Sequence, residues 1–171
     1  MAVDYIADLQ GFKIPGRNYV LKEISYVPCK IDAEPTVLMF KQPFAWKKLP
    51  AKYKRENTWL QRCYHGLDWN SGKFEYFYVG SMLHEHLDCA SRIFVDNEIK
   101  KKWLEGLKFR VVNMQELGYK KSDLPRTVTT CENHNGKFRV NCAIHNVKYM
   151  RKFYYNNFDV MQWEAVGDWI G

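Results

Sequence analysis

The order of the predicted strands and helices most constrains the fold of this chain. Segments 4–12, 18–29 and 35–43 predict three consecutive strands: the first is mostly apolar, the second alternates between two faces, and the third lies between prolines. Pro15 and Gly16 predict the turn between the first two strands. Because the connections are short, we expect an antiparallel meander.

The pattern then changes to alternating helices and strands. A meander followed by such alternation predicts an α/β fold in which helices cover one mixed sheet. In the helix predicted at 97–107, we expect Ile99, Trp103 and Leu104 to face inward. The predicted elements after the meander are helices at 49–66 and 73–90, a strand at 92–97, the helix at 97–107, a strand at 109–114 and a helix at 142–156.

Length and composition limit the class of protein. The 171 residues are 46% apolar and 16% aromatic, and no linker or repeat divides them, so we expect one globular domain spanning residues 1–171. The sequence has no apolar run of transmembrane length and no secretory leader, which predicts an intracellular protein, cytoplasmic or nuclear, that is neither secreted nor bound to a membrane. Five cysteines, an odd number, suit a reducing compartment. The formal charge of +7 permits an anionic partner, nucleic acid above all.

Cysteine and histidine spacing in the segment 129–147 is the strongest local signal. Cys131 and His134 are three residues apart, and Cys142 follows eight residues later at the predicted start of a helix. Zinc accepts thiolate sulfur and imidazole nitrogen in a tetrahedral site, and a structural site needs a fourth ligand, for which His145 is the local candidate. The alternative is that both cysteines are small buried apolar residues and His134 is a loop residue.

Three segments of the chain resemble DEDD-type exonucleases, which have an RNase H-like fold. The segment YIADLQGF (5–12) resembles their first motif, and RIFVDNEIKKKWL (92–104) resembles the strand and helix that carry their second acid. The segment NCAIHNV (141–147) resembles the start of their last helix. The order of the predicted elements is also that of an RNase H-like fold, so the resemblance implies this fold for most of the chain.

A closer resemblance is to the Maelstrom domain, an RNase H-like domain of the piRNA pathway. It is carried by KEI at Lys22–Ile24 and by the residues CENH, a further Cys and NV within 131–147. The Maelstrom domain holds zinc through a Glu, Cys, His, Cys set. At the matching positions, the resemblance implies one structural zinc ion (Zn2+) held by Glu23, Cys131, His134 and Cys142.

The exonuclease resemblance also identifies the positions of a two-metal site, and these positions are degenerate. Asp8 matches the first acid, but Gln10, Lys100 and Asn146 stand where the other three carboxylates would be, while Asp96 lies nearby but out of step. A lysine at such a site would repel metal ions, so we expect no two-metal catalysis. The alternative is that these residues are ordinary strand and helix positions.

Basic residues with interleaved tyrosines predict a surface for single-stranded nucleic acid. Lysines contact phosphates, and tyrosine rings stack on bases. A solvated helix face is the alternative for each cluster. The residues predicted to bind nucleic acid are Lys100, Lys101, Lys102, Lys148, Arg151 and Lys152, and a further cluster of lysines surrounds Tyr53.

Residues and resemblance together imply a zinc-stabilised pseudonuclease that binds single-stranded RNA or acts as an adaptor, with protein partners in small-RNA or transposon silencing. Loss of the acids argues against an enzyme. One alternative is nevertheless a nuclease that cuts single-stranded RNA without the two-metal site. The other alternative is a protein-interaction scaffold with no nucleic acid partner.

Overall fold

The structure is a computed structural model that describes residues 2–16, 18–30, 32–123, 131, 133–134 and 141–159, except the side chains of residues 123, 158 and 159. In this part of the chain, five strands form one sheet. They are β1 (Val3–Ile14), β2 (Asn18–Pro28), β3 (Thr36–Met39), β4 (Ala90–Val95) and β5 (Val111–Asn113).

The strand order in the sheet is β3-β2-β1-β4-β5. The pairs β1–β2 and β2–β3 are antiparallel, while β1–β4 and β4–β5 are parallel. The predicted α/β architecture, a meander of three antiparallel strands followed by alternating helices and strands, is therefore confirmed. Because β1 is the central strand, its side chains are covered on both faces.

Four α-helices flank the sheet within the described residues. A single π-helical turn (Leu60–Tyr64) extends the first helix, and none of the described helices has the length and apolarity needed to cross a lipid bilayer. The helices are α1 (Ala51–Trp59), α2 (Val79–His86), α3 (Glu98–Gly106) and α4 (Ala143–Tyr154).

The two faces of the sheet carry separate apolar clusters. On one face, Leu9 packs with Leu83 of α2 and with α3. On the other face, Ile6 packs with Val147 of α4. Since successive side chains of a strand point to opposite faces, Asp8 lies on the α4 face together with Ile6. A polar, charged position is thus buried between β1 and α4.

The hairpin of β1 and β2 contains a β-bulge. Gln10 pairs with Glu23 and Gly11 pairs with Leu21, which leaves Lys22 as the extra residue. Glycine is required at position 11, because a Cβ there would lie 2.0 Å from a backbone oxygen of β2. The bulge therefore fixes which residues of the two strands lie side by side on the α4 face.

Helix α3 differs from its predicted orientation. Ile99 was expected to face inward but is 69% exposed, whereas Lys100 and Leu104 are buried. The side chain of Asn97 caps α3 by accepting a hydrogen bond from the Lys100 amide. The prediction for Ile99 was wrong because the charge of Lys100 finds buried partners, so that the lysine rather than the isoleucine takes the inward position.

Candidate metal centre

Cys131, His134 and Cys142 converge on the α4 side of the sheet. Their ligand atoms, two Sγ atoms and an imidazole nitrogen, all lie within 4.8 Å of one another. His134 and Cys142 are buried, and Cys131 is half-buried. Sulfur and nitrogen donors at such separations suit a transition metal, so these three residues could hold a metal ion. His145, the local candidate for a fourth ligand, lies outside this group.

The carboxylate of Glu23, on β2, faces the same centre. Glu23 Oε2 lies 3.1 Å from His134 Nε2 and 3.9 Å from Cys131 Sγ. Its other oxygen, Oε1, accepts a hydrogen bond of 3.0 Å from the backbone N–H of Ala143. Glu23 is fully buried and contacts His134 and Cys131, two of the three residues that the resemblance paired it with, but like His145 it lies outside the group whose ligand atoms are all within 4.8 Å of one another.

A backbone carbonyl fixes the orientation of the His134 ring. His134 Nδ1 donates a hydrogen bond to the carbonyl oxygen of His65, and Nε2 faces Glu23. A carbonyl only accepts hydrogen bonds, so Nδ1 carries a proton, and Nε2 is the nitrogen that could bind a metal ion once the metal displaces its own proton. The neighbouring residue Asn141 is held in a similar way, since its N–H donates to the carbonyl of Tyr64 at 2.6 Å.

Proximity also sets the protonation of this group. The thiol of Cys131 donates a hydrogen bond to Cys142 and, with His134 beside it, lowers the pKa of Cys142 to about 3 in spite of burial. Burial alone would lower the pKa of His134, but Cys142 and Glu23 raise it to about 10. The thiolate is the form of cysteine that binds metals, and the lowered pKa keeps Cys142 in this form at neutral pH.

The four positions matched to the exonuclease acids also lie together. Three nitrogens donate to the carboxylate of Asp8: Lys100 Nζ at 2.6 Å, Asn146 Nδ2 at 2.8 Å and Gln10 Nε2 at 2.9 Å. Lys100 Nζ donates in addition to Asp96 at 2.7 Å. All five side chains are buried. Asp96, whose position in the sequence does not match the second acid of the exonuclease motif, therefore belongs to this cluster.

Two lysines neutralise the two carboxylates of this cluster. Burial alone would raise the pKa of Asp8, but the charges of Lys100 and Lys121 and the hydrogen bond from Asn146 hold it below its ordinary value. Lys121 Nζ lies 3.8 Å from Asp96. Two carboxylates thus face two ammonium groups, and the cluster offers no net negative charge to a divalent ion.

The residues predicted to bind nucleic acid do not share one surface. Lys100 is buried and bound to two carboxylates, so its charge is not available to a phosphate. Arg151 is half-buried and donates to the backbone carbonyl of Ala33. Lys101 is half-buried on α3, whereas Lys102, Lys148 and Lys152 are exposed.

Helix α4 joins the metal centre to the carboxylate cluster. Cys142 immediately precedes α4, and Asn146 lies one turn later on the same face, while Glu23 and Gln10 are partners across β1 and β2.

Comparisons with protein-family models, with curated proteins and with solved structures find no match for this chain. The chemistry of these two adjoining clusters is therefore the basis on which a function can be inferred.

Proposed function

We propose that this chain is a zinc-stabilised, catalytically degenerate module with an RNase H-like fold of the Maelstrom type, and that it binds single-stranded RNA. We place it inside the cell, in the cytoplasm or nucleus, beside protein partners in small-RNA or transposon silencing. All five cysteines are free thiols, which supports a reducing compartment.

The donor set supports zinc as the metal. Two cysteines, a histidine whose second nitrogen is fixed by a carbonyl, and a buried carboxylate are ligands that zinc accepts. Glu23, Cys131, His134 and Cys142 would hold the ion, which when bound would supply stability rather than a reacting group. If all four bind, no position is left open for a reacting water, as in structural zinc sites.

The contact between Lys100 and Asp8 is the observation that carries the catalytic part of the proposal. A two-metal nuclease needs carboxylates that are free to bind divalent ions. Here both oxygens of Asp8 already accept hydrogen bonds from side chains, and a lysine cation lies between Asp8 and Asp96. We infer that divalent ions do not bind there, and that this chain has an RNase H-like fold without two-metal catalysis.

Charge supports nucleic acid as the partner. The chain carries a formal charge of +7, and Lys102, Lys148 and Lys152 are exposed on helices. Exposed lysines release condensed counterions when they bind phosphates, and this release favours RNA binding at low salt.

The proposal is tested with the purified chain, a labelled single-stranded RNA and elemental analysis. We expect one zinc ion per chain, RNA affinity that falls steeply with salt, and intact RNA after incubation with magnesium or manganese. RNA binding that is absent even at low salt would instead favour a protein-interaction scaffold. Magnesium-dependent digestion that is abolished by Asp8→Ala would show an active nuclease.

A further inference from the structure

An open groove of about 980 Å³ lies between α1 and α3, next to the turn of the β1–β2 hairpin. Three separate parts of the chain build it. Lys13 and Tyr19 come from the hairpin, Lys52 and Tyr53 from α1, and Trp103 from α3. The volume is within the range of binding sites for molecules of nucleotide to oligonucleotide-fragment size.

The charged residues of the groove are mostly positive. Lys13, Lys52 and Lys102 line it and are exposed, and Glu56 is the carboxylate among the lining residues. Lys100 also reaches the lining, but Asp8 and Asp96 neutralise it. Lys13 pairs with Glu56 at 3.6 Å, so Lys52 and Lys102 are the available cations and leave a net charge of +2 on the walls, which favours an anionic ligand.

Aromatic rings alternate with these lysines. Tyr53 follows Lys52 on α1, and Trp103 follows Lys102 on α3, so each wall presents one cation beside one ring. Tyr64 lines the groove as well and is stacked on Trp59, which is 55% exposed, with ring centroids 5.9 Å apart. The lining rings Tyr53, Tyr64 and Trp103 are half-buried, and cations beside partly accessible rings are the combination that binds phosphates and unpaired bases together.

We propose that single-stranded nucleic acid lies in this groove, with bases stacked on Tyr53 and Trp103 and phosphates beside Lys52 and Lys102. The inference rests on the proposed RNA-binding function and gives that function a site. A duplex is excluded as the main ligand, because its bases are already stacked and paired and cannot present their faces to the rings. Gln10 and Lys100 of the Asp8 cluster line the groove, and because the cluster is neutralised, a polyanion meets no net negative charge there.

Two double variants matched in charge test the location. Lys52→Ala with Lys102→Ala, the groove variant, removes one exposed lysine from each wall. Lys30→Ala with Lys120→Ala, the control variant, removes two exposed lysines that do not line the groove. Binding of a short labelled RNA is measured by fluorescence anisotropy over a salt series. The groove variant should lower the slope of log affinity against log salt by about 1.4, since each phosphate contact contributes about 0.7 for single strands. The control variant should bind like the parent.

The outcomes separate the inference from the proposed function. If the control variant lowers the salt slope, or if both variants lower it equally, RNA binds but not in this groove, and the inference is overturned while the function stands. If the parent does not bind RNA at low salt, both are overturned. A nucleoside monophosphate that competes as strongly as the RNA would identify a small-ligand pocket and overturn the inference as well.

A second measurement does not depend on variants. A single-stranded RNA with one photoreactive 4-thiouridine is bound to the parent chain, irradiated and mapped by mass spectrometry of the cross-linked peptides. We expect cross-links in the peptides that contain Tyr53 or Trp103. Cross-links confined to the peptide that contains Tyr149 of α4 would contradict the proposed site.

Discussion

Lys100 Nζ lies 2.6 Å from Asp8 Oδ1, although 92 residues separate the two in the chain. The ammonium also contacts Asp96, so one lysine bridges a pair of buried carboxylates, and Lys121, 3.8 Å from Asp96, supplies the second positive charge. Such a pair would otherwise attract a divalent ion. Because this cation is part of the chain, chelators and dialysis cannot remove it, and the cluster does not depend on the concentration of divalent ions.

Replacing Lys100 should destabilise the fold strongly. Lys100→Met would leave Asp8 and Asp96 buried without their cation, and breaking a buried ion pair in this way costs about 3–5 kcal/mol. The loss is measured by urea unfolding at neutral pH. Lys101→Met, at the adjacent and less buried position of α3, is the control and should change the free energy of unfolding by about 0.5 kcal/mol or less. Equal losses in the two variants would contradict the importance of the ion pair.

Acid should remove the contribution of Asp8. The pKa of this carboxyl is held below its ordinary value in the folded chain, so its stabilising effect is present above the unfolded pKa of about 3.9 and is lost as the pH falls through the folded value. Asp8→Asn lacks this effect at every pH. The parent should therefore lose more stability than Asp8→Asn on acidification below about pH 4. Parallel profiles of unfolding free energy against pH would contradict the assignment.

Loss of a thiolate should remove the metal. Cys142→Ser should abolish zinc binding and lower the melting temperature sharply, because metal binding is coupled to folding at such sites and is worth about 10 kcal/mol or more in zinc-finger peptides. Cys63→Ser changes an exposed free cysteine and should keep both the zinc and the melting temperature. Elemental analysis and thermal unfolding of the two variants check this. If both variants retain zinc, Cys142 is not a ligand.

Glu23→Gln should weaken zinc binding less than Cys142→Ser does. The amide keeps one oxygen that can coordinate, but it loses the negative charge. The comparison is made by competition with a chromophoric chelator. Zinc affinity equal to that of the parent would mean that Glu23 only positions His134 and Ala143 through the contacts described above.

Metal removal should also weaken RNA binding. The ligand His134 donates a hydrogen bond to the carbonyl of His65, and Asn141, next to the ligand Cys142, donates one to the carbonyl of Tyr64, which lines the groove. Chelation should therefore reduce RNA affinity by about fivefold or more. By linkage, saturating RNA should raise zinc affinity by the same factor, which a chelator competition measures. Unchanged RNA affinity in a chelated chain that keeps its circular dichroism spectrum would contradict this coupling.

Local signals in the sequence explain why the strands and helices were predictable. The side chains that alternate between two faces in β2 and the prolines on either side of β3 are signals that involve only a few neighbouring residues. The antiparallel order of the first three strands follows from their short connections. Orientation of α3 was not predictable in this way. Ile99 is more apolar than Lys100, and the burial of Lys100 becomes favourable only when Asp8, from a distant strand, meets it.

The sequence predicted the part of the candidate site that a local motif or a family resemblance identifies, namely the cysteines and histidine of the metal centre and the positions around Asp8. The sequence did not predict that Asp96 belongs to the Asp8 cluster. Asp96 and Lys100 are, however, four residues apart, and such spacing brings side chains together across a helix start. That spacing was the signal that could have placed Asp96 in the cluster. Lys102 and the lysines around Tyr53 were predicted to contact nucleic acid, but no sequence signal placed them in one groove, because its walls come from the hairpin, α1 and α3 and only the tertiary fold brings them together.

The hydrogen bond between Glu23 and Ala143 spans 120 residues, and this span has a consequence for synthesis of the chain. The β1–β2 hairpin leaves the ribosome early, but α4, which covers its buried polar face, follows about 120 residues later. At about 5–20 residues per second, the hairpin waits roughly 6–24 s for α4. During this time Glu23 and Asp8 are exposed to solvent beside the apolar Ile6. We therefore expect any metal to bind at the candidate centre only after α4 is made, and the nascent chain to be most open to aggregation or to chaperone binding just before that.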